Sequence, residues 1–318
     1  MFKSTRHLSL PAALLLLSCG GPSGGIKPET TDSPIPVAVL VERVISGPVL
    51  GIRLQNPVGL AADAGGNIYL ADAGNNRVIR FDSILTARQE VGGQGRQAGL
   101  LNNPSYLSVD NNLNIVVSEE GNRRVSRFNT NLNFVDVTDF YNFEDQTEYG
   151  YPSGVAVTAF GEMWVADREK NRLVVFDRMA KFDRFVGDFA HSGGQVSNPG
   201  KLLIDEGGNI IACDAGNHRL VVYDEYGNYL GSIRHKSITS PVAAAEDRER
   251  LWVLDGDSGA LYSIDFDGNL VFSAGPLLSG SDLPLKYPSD IVALPGDRLL
   301  ISDSGNNRLV LCKAIYDR

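Results

Sequence analysis

The chain has 318 residues, 43% hydrophobic and 21% charged, with 29 basic residues against 38 acidic and a formal net charge of −9. That balance excludes a disordered polymer, 34 glycines without a Gly-X-Y period exclude a collagen-like chain, and three cysteines are too few for a disulfide scaffold. An acidic chain is also a poor partner for nucleic acid, since binding phosphate needs a positive surface.

In chain order, the first segment reads as an address. Met1–His7 carries Lys3 and Arg6 and no acid, and Leu8–Leu17 is apolar. Such a run is too short to span a bilayer but fits the apolar core of a signal peptide. It ends in Leu16-Leu17-Ser18-Cys19-Gly20, which resembles a bacterial lipobox. The resemblance implies removal of residues 1–18, acylation of Cys19 and a membrane anchor through the lipid. Glycine rather than aspartate at position 20 resembles lipoproteins that Gram-negative bacteria send to the outer membrane, so the cell envelope is the expected location. Residues 19–36 are rich in Gly, Pro, Ser and Thr and read as the lipidated cysteine and a flexible tether.

From residue 37 onward one unit recurs: a proline, an apolar strand, a Gly-Asn turn, a second strand ending in an acid, a short polar turn, then Arg and a third strand. The acids are Asp72, Glu119, Asp167, Asp214, Asp255 and Asp303. A period of roughly 45 residues is that of a four-stranded propeller blade. The strands are near-continuous apolar runs, such as Ile68-Tyr69-Leu70-Ala71, as strands buried on both faces are. The predicted fold class is therefore all-β, a single domain over 37–318 forming a six-bladed β-propeller. The chain stops just past the third strand of the sixth unit, and Val37–Ser46 is strand-like with no blade of its own. This segment is expected to supply the missing outer strand, closing the ring and removing an open edge.

The Asp-x-Gly-Asn-x-Arg turns at Asp72–Arg77, Asp214–Arg219 and Asp303–Arg308, with Pro57–Gly59, resemble NHL repeats. The resemblance covers about residues 38–318 and implies the propeller fold. It does not imply one function, because NHL propellers include binding scaffolds, sensors and some enzymes. NHL-type lyases that use zinc depend on histidines, and here His191, His218 and His235 fall at unlike positions in the repeat. Neither a metal nor a cofactor is expected. Cys213 and Cys312 occupy packing positions and read as buried thiols.

The repeated acid and arginine are expected to brace each turn: Asp72 with Arg77, Asp167 with Arg172, Asp214 with Arg219 and Asp303 with Arg308. Gly74, Gly121, Gly216 and Gly305 are expected where the turn needs φ > 0. In unit five Ala260 replaces the arginine, which leaves Asp255 without that partner.

A ligand is expected at the mouth of the central channel. The second residue after each leading proline is Gly59, Tyr106, Gly154, Lys201, Ala243 and Asp290. Tyr106, Lys201 and Asp290 thus fall on alternate blades and can converge. The loop Phe140–Tyr151 adds Tyr141, Phe143 and Tyr149 beside carboxylates, a composition suited to sugar or protein contacts. The leading functional reading is a non-enzymatic scaffold for an envelope protein or a small polar or carbohydrate ligand. One alternative resembles the calcium-dependent gluconolactonase-type hydrolases, with Asp290 well placed and Asn103, Asn198 and Glu246 as weaker candidates. Another is the sensing part of an envelope signalling system.

Overall fold

The computed structural model describes residues 34–140, 149–188 and 193–317. Cys19, most of the tether, Tyr141, Phe143 and His191 lie outside the described residues. Among the described residues there are six four-stranded antiparallel sheets, and no helix is long and apolar enough to cross a membrane.

Each sheet begins with an inner strand: Pro57–Ala62, Pro104–Val109, Pro152–Val157, Pro199–Ile204, Pro241–Asp247 and Pro288–Leu294. The second strands are buried along their whole length in four blades, as in Ile68–Asp72 and Met163–Asp167, and in the other two all but the leading Arg250 or Arg298 is buried. Their apolar residues face two neighbouring blades at once, so the core is a set of layers between sheets. Tyr69, Ile115 and Phe128 fill the layer between blades one and two, and Trp164 and Tyr223 the layer between three and four. Outer strands such as Phe134–Asp139 are largely solvent-exposed.

Every inner strand breaks register just after its proline, as between Pro57 and Leu60, Pro104 and Leu107, Pro199 and Leu202, and Pro288 and Asp290. Proline brings no N–H to the ladder, so the pairing slips there. The bulge turns the next residues toward the axis, which is how Tyr106, Lys201 and Asp290 come to point inward.

In the sixth sheet the outer strand is Pro36–Ile45, paired antiparallel with Arg308–Tyr316 from Ile45 opposite Leu309 to Pro36 opposite Tyr316. The long segment 276–287 lies against this strand. The Val41 N–H donates to Ser279 O at 2.8 Å, and Leu278 is buried with Val39.

Candidate functional site

The repeated acids are buried and act as junctions. Asp72 Oδ2 accepts Arg77 Nε at 2.8 Å and Asn75 Nδ2 at 2.8 Å, while Oδ1 accepts the Gln55 N–H at 2.8 Å. Asp214–Arg219 at 2.7 Å, Asp303–Arg308 at 2.6 Å and Glu119–Arg124 at 2.7 Å repeat the pairing. In each blade the acid also accepts the backbone N–H of a residue shortly before the leading proline, such as Ser197, Thr239 and Lys286. The brace thus ties the hairpin to the incoming chain as well as to its own arginine.

Two blades depart from this plan. Asp167 and Arg172 are 3.5 Å apart, and the Arg172 guanidinium lies 3.6 Å from the Phe185 ring centroid. Burial raises the Asp167 carboxyl above the usual carboxylate range, against the N–H groups of Gly150 and Lys170 and the weaker help of Arg172. In blade five Asp255 is well satisfied despite lacking an arginine. It accepts the N–H groups of Thr239, Ser240 and Ser258 and the Ser258 hydroxyl at 2.7, 2.8, 2.9 and 2.8 Å. Burial pushes its carboxyl up, but these donors outweigh that and hold it below the usual range.

The turn glycines have a different purpose from the one their position implies. Positive φ falls two residues later, at Asn76, Arg123, Asn171, His218 and Asn307. Gly74 and Gly305 are needed for space: a Cβ there would stand 2.7 Å from Gln55 O and 2.5 Å from Lys286 O. The left-handed residues reach forward to the next blade. The oxygens of Asn76, Asn171 and Asn307 accept the N–H groups of Asn103, Asn198 and Asn56 at 2.8, 2.7 and 2.7 Å. Arg123 Nη2 donates to Tyr149 O at 2.7 Å, and His218 Nδ1 contacts Thr239 O. These blade-to-blade latches were missed in the sequence, although the Asn-Pro pairs at 56–57, 103–104 and 198–199 signal them.

At the axis the structure brings Tyr106, Lys201 and Asp290 together but turns them on one another and on the backbone. Lys201 Nζ donates to Asp290 Oδ1 and to Ile291 O, both at 2.6 Å. Asp290 also accepts the N–H groups of Leu60 and Ile291 at 2.7 Å. Burial raises its carboxyl, opposed by Lys201 and these N–H groups. The Tyr106 hydroxyl crosses to the carbonyls of Val242 at 3.4 Å and Ser289 at 3.5 Å, and burial raises its pKa. Gly59 and Gly154 leave room for this, since a Cβ on either would strike the neighbouring inner strand at Ser105 O or Gly200 O. A small residue thus alternates with a large one, and the large ones close the channel. Below Lys201 a cavity of about 260 Å³ is lined by Ala62, Val109, Val157 and Ile204.

The aromatic loop is only partly described, and Tyr149 is a correction. Expected as an exposed contact, it is buried, with its ring 5.5 Å from Phe140, 5.9 Å from Phe182 and 6.0 Å from Phe185. Burying both rings under the outer strand of blade three is worth more than exposing them. The residues of the hydrolase alternative do not converge. Asn103 and Asn198 precede inner strands at one end of the ring. Glu246 lies at the other end of its inner strand, where it accepts the Glu206 N–H at 3.0 Å. Cys213 and Cys312 are buried free thiols, and burial pushes the Cys312 thiol up to about 12. Among the described residues no group of three or more His, Cys, Asp or Glu side chains could hold a metal.

A sequence model described as NHL repeat matches residues 54–81, the first blade. Protein brain tumor of Drosophila melanogaster is 24% identical over 131 residues, which is 40% of this chain and 13% of that protein. Among solved structures, a streptogramin B lyase superposes with a TM-score of 0.61 at 11% identity, covering 84% of this chain and 96% of the other. A catalytically inactive virginiamycin B lyase from Staphylococcus aureus with quinupristin gives 0.63 at 14% identity, covering 86% and 87%. A chain of a nidogen/laminin complex gives 0.58 at 15% identity, covering 70% and 81%. At these identities the solved structures speak for the fold alone. The chain is thus a six-bladed β-propeller whose first blade carries an NHL repeat.

Proposed function

We propose that this propeller is a binding scaffold of the cell envelope, held at the outer membrane by acylated Cys19 and the tether that follows. Its partner is an envelope protein or a small polar or carbohydrate ligand. The observation that carries the reading is the axial ion pair: Lys201 gives two of its three donors to Asp290 and Ile291 O, and Asp290 also accepts the Leu60 N–H. A ring plugged by its own ion pair offers its faces and rim as a platform. The likeness of this fold to a chain of a nidogen/laminin complex supports a protein partner.

The test is made in intact cells. Wild-type chain is expected in the membrane fraction, and Cys19→Ser is expected to release it as a folded soluble protein. Chemical crosslinking before lysis should join the wild-type chain to one recurring envelope component, which purified propeller then rebinds. A Cys19→Ser chain that still sediments with membranes, or a wild-type chain that crosslinks to nothing reproducibly, would overturn the proposal.

A further inference from the structure

On the far face of the ring, opposite the braced hairpins, two rings stand in solvent. Phe160 is 74% exposed and Tyr226 is 71% exposed. Phe160 sits in the turn between Pro152–Val157 and Met163–Asp167 of blade three, and Tyr226 in the turn between Arg219–Tyr223 and Tyr229–Ile233 of blade four. Together they flank a cleft of about 460 Å³ whose other lining residues are Glu162, Arg184 and Glu225. That volume falls in the usual range for small-ligand pockets, about 300–1,000 Å³.

The cleft is built rather than incidental. Both turns are fixed locally: Asp224 Oδ1 accepts the Tyr226 and Asn228 N–H groups at 2.9 and 2.8 Å, and Thr158 Oγ1 accepts the Glu162 N–H at 3.2 Å. Rings presented on rigid turns lose little entropy when a ligand meets them. At the base, Arg184 Nη1 and Nη2 donate to the two Glu162 oxygens at 3.2 Å each, and Nη2 donates to Glu225 O at 2.8 Å. The guanidinium lies 5.3 Å from the Trp164 ring centroid. The Glu162 carboxylate keeps acceptor capacity beyond these two bonds, and Glu225, whose carboxylate accepts the Tyr226 hydroxyl, lines the same cleft with acceptor capacity left.

We infer that this cleft binds a short neutral oligosaccharide. The inference rests on the binding-scaffold reading and names its ligand class. A pyranose has an apolar C–H face and a hydroxyl edge. The Phe160 and Tyr226 rings take the apolar faces out of water, while Glu162 and Glu225 accept hydroxyl protons. Two carboxylates against one guanidinium make the lining net acidic, which disfavours phosphates and other anions.

The test titrates the full chain with maltotriose, cellotriose and chitotriose and reads tryptophan emission, since Trp164 underlies Arg184. At least one sugar should give a saturable change. Phe160→Ala and Tyr226→Ala should each weaken it tenfold or more with unaltered melting curves, and Phe160→Trp should retain it. Tyr287→Ala, at an aromatic 70% exposed next to the leading proline of blade six, should bind as wild type. The inference is overturned if no sugar titrates, if Phe160→Ala and Tyr226→Ala bind as wild type, or if Tyr287→Ala weakens binding equally. A chain that binds no sugar but still crosslinks to its envelope component would refute the ligand class and leave the scaffold reading standing.

Discussion

A single turn shows how far residue types carry the argument. The pairing of Asp72 with Arg77 follows from their chemistry and spacing. The reason for Gly74 does not, because it lies in the approach of Gln55, which is nearly twenty residues away. Gly74→Ala should therefore cost about 1–3 kcal/mol through forced displacement of that backbone. Asn76→Gly keeps the left-handed conformation and loses only the bond to Asn103, so it should cost about 1 kcal/mol. Chemical denaturation of the two variants checks the order, and a larger loss for Asn76→Gly would reverse the assignment. Asp255 gives a test with pH. Its folded-state carboxyl lies below the ordinary value, so its contribution is present above about pH 4 and lost as pH falls through the folded value. Ser258→Ala removes one of the donors responsible and should cost about 1 kcal/mol at pH 7. The gap between variant and wild-type stability should narrow as the pH is lowered through the carboxylate range.

At the scale of elements, the six leading prolines and the apolar runs behind them marked the inner and second strands in the sequence, because burial on both faces leaves a signature in composition. The outer strands were harder to see, since one face meets water and residues such as Val135 and Val137 are exposed. Segment 276–287 joins the last strand of the fifth sheet to the inner strand of the sixth. Its contact with Val41 pairs residues far apart in sequence and has no local signal. The sixth sheet depends on strand Pro36–Ile45. Removing residues 37–46 takes away the strand paired with Val310, Cys312 and Ala314, all buried. Thermal unfolding of that deletion should show a sharply lowered Tm, and an unchanged melting curve would refute the closure.

For the whole molecule, the convergence of Tyr106, Lys201 and Asp290 was legible because repeat position fixes angular position around the axis. The pairing of Lys201 with Asp290 and the turn of Tyr106 onto backbone carbonyls were not, because they depend on distances across the ring. The Phe160–Tyr226 cleft was equally hidden, since its walls come from turns of two different blades. The central claim is that the axis is a structural plug and that binding belongs to the faces. A double-mutant cycle on the axial pair, measured by chemical denaturation, tests it most directly. Lys201→Met strands a buried carboxylate and should cost about 3–5 kcal/mol. Asp290→Asn strands the ammonium while still accepting the Leu60 N–H, and the double variant should lose clearly less than the sum of the two. A Lys201→Met chain as stable as wild type would contradict the account, because the lysine would then be a free cation held for a ligand.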